Sequence, residues 1–438
     1  MIAASTFYDR KKHHFAILGL ALLLMLPAVL SPAMLHDSFW IDWVWSDQFT
    51  AELTRGQLYP RWLPLSDGGQ GSPTFYFYPP LAFYVSGLFG LAMPTYAALM
   101  CCFCAGFIVS GYTMWAWLED SKRRLFGALL FMAAPYHVFD FYGRGAQAEF
   151  FAISLIPLVA LGLRRALNDR ATLLALAYGA LILTHLPLAL LTSLFLILPY
   201  GIFHGGLRRL ILPLAAGLGI SAIYLLPALA LNGYRHSEVL WTSPSFQPQS
   251  WNLLIWHDGP PPGAQKTLGA IVVALVISSV VLWVSGQRKL SYYSLGCCVL
   301  GAGITPIIWS LPLLSEVQFP FRILPLAEFA ITTGFALTQL RRMLVYSGVI
   351  PGVILTGTFS IAHIHVQLYT ISELKSAHPD VSENRLIRPG QLPTWPEHLG
   401  LLISILGLSL AAGTHPGFLR HLRTVLPSLP RSRNRSVE

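Results

Sequence analysis

Long apolar runs separated by short polar breaks, most of them basic, dominate this chain. A helix crossing a hydrocarbon core of about 30 Å needs about 20 residues at about 1.5 Å each. On that basis the pattern predicts about 12 spans. They are Phe15–Met34, Thr95–Leu118, Leu125–Phe139, Ala148–Leu163, Ala171–His185, Leu186–Phe203, Leu210–Leu231, Thr267–Gly286, Ser291–Leu311, Ile323–Leu340, Leu344–Ala362 and Leu399–Gly413. Leu81–Met93 is also apolar, but it is short and closed by Pro94. It reads as a helix lying on or dipping into the outer leaflet. Parity agrees with this, because Lys122-Arg123-Arg124 then falls on the same side as Arg10-Lys11-Lys12.

Composition supports a polytopic all-α membrane protein. The chain is 54% hydrophobic and 11% charged, with a mean hydropathy of +0.57, whereas soluble domains carry about 25% charged residues. The net charge of +9 does not indicate nucleic acid, because the basic residues sit in small clusters between apolar runs. With these spans, 20 of the 29 Lys and Arg lie on the side of the N-terminus, which the positive-inside tendency makes cytoplasmic. Residues 1–413 are expected to form one transmembrane domain, followed by a basic cytoplasmic tail at 414–438. The main outer loops are 36–94 with interfacial helices, 232–266 and 363–397. The five cysteines all lie in apolar runs, which offers no disulfide framework, and the Cys-Cys-Phe-Cys run lacks zinc-site spacing.

The stretch His36–Pro80 interleaves acids with rings, a mixture suited to the membrane–water boundary. Asp37, Asp42, Asp47 and Glu52 are spaced by five. That spacing turns a helix by about 140° per step, so the four cannot converge on one metal ion. They read as solvated or paired with Arg55 and Arg61, except Asp37. It directly follows the first span and sits at head-group level, where a carboxylate can act as general base towards a hydroxyl.

Two arginines fall on the outer side against the charge tendency. Arg144 lies between two glycines with Glu149 close behind it, which is either a structural pair or a phosphate clamp with its orienting partner. Arg322 closes Gln318-Phe319-Pro320-Phe321-Arg322, with Glu328 deeper in the same span and either arginine as its expected partner. His185 ends another span at the outer side, and His137 reads as core structure. No H-E-x-x-H, G-x-S-x-G or P-loop pattern occurs, and Gly68-Gly69-Gln70-Gly71 is a turn. Arginines, acids and dense rings at a lipid boundary suit a substrate combining an acyl chain, a phosphate and a sugar.

Several segments together resemble the GT-C superfamily of membrane glycosyltransferases. They are His36-Asp37 after the first span, Gly56-Gln57-Leu58-Tyr59-Pro60-Arg61-Trp62, and Phe75-Tyr76-Phe77-Tyr78-Pro79-Pro80-Leu81. Arg144-Gly145 with Glu149, Thr184-His185 and the Gln318–Arg322 segment complete the set. The chain is also similar to bacterial multipass proteins labelled "6-pyruvoyl-tetrahydropterin synthase-related". The resemblance implies a bacterial inner-membrane enzyme with a periplasmic site. It would move a sugar, with inversion, from a polyprenyl-phosphate donor to a lipid, glycan or protein acceptor. Asp37 would be the base, and Arg61, Tyr78, Arg144, Glu149, His185, Gln318 and Arg322 would bind substrate. Some members use a divalent metal, Mg or Mn, and others do not; here no second acid adjoins Asp37. Many relatives also carry a large C-terminal periplasmic domain, which is not expected here. The competing readings are a lipid or glycan transporter, or flippase, and a non-catalytic scaffold of the same fold.

Overall fold

The structure is a computed structural model that describes residues 2–30, 38–234, 246–253, 262–338 and 392–414. Among these the chain is helical throughout, and the only pairing of extended backbone is an isolated bridge between Leu63 and Ser72. Helices satisfy their own backbone polar groups, which a lipid solvent cannot do.

Seven helices among the described residues are long and apolar enough to cross a membrane. Six of them are α1 (Ile2–Leu30), α4 (Thr95–Trp117), α5 (Arg124–Arg144), α6 (Gln147–Ala166), α8 (Leu186–Phe203) and α11 (Pro262–Val284). The seventh is α14 (Trp395–Gly413). The pair α9 (Leu207–Ile220) and α10 (Ala222–Ala230), bent by 71° at Ser221, makes an eighth if counted as one span. The chain is thus a membrane-embedded helical protein.

Three further expected spans appear as shorter helices: α7 (Thr172–Thr184), α12 (Arg288–Gly301) and α13 (Leu324–Leu337). Each is cut short for a local reason. The backbone of His185 is extended after α7. Gly303, with φ +69°, and Pro306 interrupt the apolar run after α12. α13 starts within one residue of the expected start and ends where the backbone of Thr338 becomes extended. The expected span Leu344–Ala362, most of the loop 363–397 and the tail from 415 lie outside the described residues.

Exposure separates lipid-facing surface from core. Phe15, Leu22 and Leu23 of α1, and Leu402, Ile405 and Leu406 of α14, are exposed apolar side chains. By contrast α6 is buried along nearly its whole length and forms the centre of the bundle. α14 lies in the angle between α9 and α10, and glycine permits the approach: a Cβ on Gly407 would meet Ile220 N at 2.5 Å. The break between α9 and α10 exposes backbone groups at Ile223, and both are satisfied. Its N–H donates to Ser404 Oγ at 2.7 Å, and its carbonyl accepts from Arg61 Nη2 at 2.8 Å. Because backbone, not a flexible side chain, faces Gly407, Gly407→Val is expected to cost about 3 kcal/mol, the upper end for overpacking. Thermal unfolding in detergent would read this, and an unchanged midpoint would mean that α14 does not need this close contact.

The first loop is ordered around α2 (Phe39–Thr54) and α3 (Leu81–Gly90). α3 has 10 residues, too few to cross a bilayer. It packs on α2 and α4, with Gly87 against Phe49 and Leu53. Between the two helices Trp45, Phe49, Phe75, Tyr78 and Phe83 pack edge to face, with Phe75 4.8 Å from both Phe49 and Phe83. This ring cluster lets a loop of that length hold one shape.

Candidate functional site

A buried carboxylate gripped by two guanidinium groups lies at the end of the bundle that carries the first loop. Glu149, in the first turn of α6, accepts from Arg144 Nη1 at 2.7 Å and Arg322 Nε at 2.9 Å, both on Oε2. Its other oxygen accepts the Tyr136 hydroxyl at 2.6 Å. Arg144 Nη1 also reaches Asp140 Oδ1 at 2.9 Å. His185 Nδ1 accepts the Leu188 N–H as it caps α8, so in the neutral ring the proton sits on Nε2. That nitrogen faces Glu149 Oε2 at 3.9 Å, beyond hydrogen-bond reach. All these side chains are buried. Removing the charges from water costs several kcal/mol per ion, and the short charge-assisted bonds offset that cost.

Unusual backbone delivers both arginines. Residues Asp140–Arg144 form a π turn, ended by Gly145 at φ +62°. A π turn inserts one extra residue into a helix and re-aims its side chains. On the other side, Phe319 N–H donates to Val317 O at 2.8 Å, and Gln318 between them has φ +66° and ψ −47°. This is the strained form of the γ-turn at a non-glycine residue, the kind of strain that collects at functional sites. Gln318 Oε1 and Val317 O both accept from Arg322 Nη1, at 3.4 and 2.7 Å. Among the described residues Arg322 Nη2 makes no hydrogen bond.

A ring platform underlies the guanidinium groups. Phe319 and Phe321 stack at 5.2 Å and 11°, braced edge-on by Trp251. Arg322 lies 4.6 Å from the centre of the Phe319 ring, and Arg144 lies 5.4 Å from that of Phe321. Cations over ring faces gain about 0.5–2 kcal/mol, more when desolvated.

Of the residues singled out in the sequence, Arg144, Glu149, His185, Gln318 and Arg322 are thus brought together from three separate stretches of chain. Tyr78 stands close enough for its hydroxyl to feel the cluster. Burial pushes its pKa well above the ordinary tyrosine value, Asp42 and Glu149 push the same way, and Arg322 and Arg144 oppose them. It therefore remains a neutral donor. Arg61 makes its contacts elsewhere: its guanidinium meets Glu397 Oε2 at 3.3 Å and lies 3.8 Å from the Tyr59 ring centre, tying the first loop to α14. Asp37 lies outside the described residues. The next residue, Ser38, donates its backbone N–H to the Arg144 carbonyl at 2.9 Å.

Glu328 departs from expectation. Its Oε1 accepts the backbone N–H of Tyr136 rather than pairing with an arginine. The acids of α2 take separate partners, as their spacing predicts. Asp42 accepts Gln147 N–H at the start of α6, Asp47 accepts Thr95 Oγ1 at the start of α4, and Glu52 pairs with Arg55. Asp42 and Asp47 are therefore helix-start tethers, not solvated charges. His137 is packed among Phe107, Phe131 and Phe150 in the core. The site residues that sequence reasoning passed over are Tyr136 and Asp140. Only Asp140, one helical turn before Arg144, carried a local signal.

No three His, Cys, Asp or Glu side chains converge among the described residues. Two guanidinium groups beside Glu149 make its surroundings suited to an anion and unsuited to a divalent cation. No protein-family model matches the chain, and no curated protein matches it.

Proposed function

We propose that the protein is a GT-C-type glycosyltransferase that uses a polyprenyl-phosphate sugar. Its twelve spans would be the seven long helices, the bent α9–α10 pair, α7, α12, α13 and the segment 344–362. The observation that carries this reading is the pair Arg144–Arg322, held on a ring platform with the chain just after Asp37 tethered to it. Such a pair suits the phosphate of a lipid carrier, and the Nη2 group of Arg322 is the donor left for it. In the transfer step an acceptor oxygen attacks the anomeric carbon and the bond from that carbon to the phosphate oxygen breaks. The electron pair stays on the phosphate, facing Arg322 and Arg144, and the hydroxyl proton passes to Asp37. The acceptor would be a lipid, glycan or protein on the periplasmic side of a bacterial inner membrane. The basic ends of α6, α9 and α12 support that orientation.

The product carrier gives a direct test. Polyprenyl phosphate at about 100 times its dissociation constant should stabilise the purified protein by about 2.7 kcal/mol. Arg322→Lys, which loses the planar fork, should bind it more weakly. A midpoint that does not respond to the carrier would remove the phosphate-site reading. A transporter or flippase of lipid-linked glycans is the second reading, favoured by the 71° break between α9 and α10. Movement of a lipid-linked sugar across liposomes without cleavage would decide for it.

A further inference from the structure

Glu328 is a deeply buried carboxylate that pairs with no arginine among the described residues. It sits in the second turn of α13, 1% exposed, and its Oε2 has no hydrogen-bond partner among the described residues. Its Oε1 accepts the N–H of Tyr136, and the N–H of His137 faces the same carboxyl. The reason lies in the local sequence. Within α5 the helix restarts at Pro135 after a break, and the first turn of any helix has donors without acceptors. Ala134, at the capping position, offers no side-chain acceptor. A carboxyl from α13 fills that role instead.

Tyr136 is thereby held at both ends. Its backbone is fixed by Glu328 and its hydroxyl reaches Glu149 Oε1, while Glu149 Oε2 sets the separation of Arg144 and Arg322. The same restarted helix runs on through the π turn to Arg144 itself. We propose that Glu328 is a positioning residue for the anion site, acting through Tyr136 and using its oxygen as a helix cap. Its service is the acceptor atom, not the charge. This rests on the phosphate reading above only where ligand affinity is the readout.

Four variants and two measurements test it. Glu328→Gln keeps an acceptor of the same shape and should leave the affinity for polyprenyl phosphate at the wild-type value. Glu328→Ala should lower it about tenfold, the usual size of a coupling between residues in one hydrogen-bonded network. Tyr136→Phe should lower it similarly, and the double variant should do no worse than the weaker single. Equal affinity in Glu328→Ala and wild type would overturn the proposal. So would a full loss in Glu328→Gln, because the charge would then be what matters. The thermal midpoints of wild type, Glu328→Ala, Tyr136→Phe and their double variant form a cycle that needs no ligand. Non-additive losses are expected, and strictly additive ones would sink the relay whether or not the carrier binds. Absence of carrier binding by the wild type, together with a coupled thermal cycle, would instead fault the phosphate reading alone.

Discussion

Glu149→Gln is expected to lower the stability of the protein by about 3–5 kcal/mol, the cost of leaving buried charge without its partner. The substitution preserves shape but removes the one carboxylate shared by Arg144 and Arg322. Asp140 continues to serve Arg144 through Oδ1, so the larger loss falls on Arg322. Of the remaining partners of Arg322, two are neutral oxygens, on Val317 and Gln318. An amide group turned towards either guanidinium would also set donor against donor. Thermal or denaturant unfolding in detergent would measure the effect. A midpoint equal to that of the wild type would show that Glu149 is not the counter-charge holding the two arginines together.

For Asp37→Asn the expectation is a different kind of loss. Transfer should fall by about 10²–10⁴-fold, the usual contribution of a general base. Stability and affinity for polyprenyl phosphate should stay close to those of the wild type. Asparagine keeps the size of the side chain but cannot accept the hydroxyl proton. The assignment comes from the position of Asp37 directly after the first span and from the family resemblance. The backbone bond from Ser38 to Arg144 supports it. Undiminished transfer by Asp37→Asn would require another base, and Asp42 would then be the first acid to examine.

Taken together, these outcomes would separate the roles of the two carboxylates. One is a fixed counter-ion whose removal is read in unfolding, and the other is a reacting group whose removal is read in rate. A scaffold without catalysis would show the first loss and have no transfer activity for the second variant to lose.

The helical, membrane-embedded character was legible because it depends on a local quantity, the length of apolar runs between charged breaks. The candidate residues were legible for a related reason: an arginine at an apolar boundary is unusual whatever surrounds it. Arg144 and Arg322 stood out on that ground, and the structure brings them to one carboxylate. Arg61, which the family resemblance singled out, instead ties the first loop to Glu397, because nothing in its own neighbourhood encodes which distant helix will arrive. The α2 acids show the same division. A spacing of five fixes that they diverge, but only packing decides that Asp42 meets the start of α6 and Asp47 the start of α4.

By itself, then, the sequence determined the class of element, the sides on which charge collects and the short roll of polar residues that cannot rest in lipid. Hydropathy and helix geometry act within about 20 residues, so these properties need no knowledge of the fold. The tertiary structure decided the partners: Tyr136 between Glu328 and Glu149, the π turn that aims Arg144, and the γ-turn that brings Gln318 to Arg322. Those contacts join residues up to 192 positions apart, and their energy exists only once separate helices have packed.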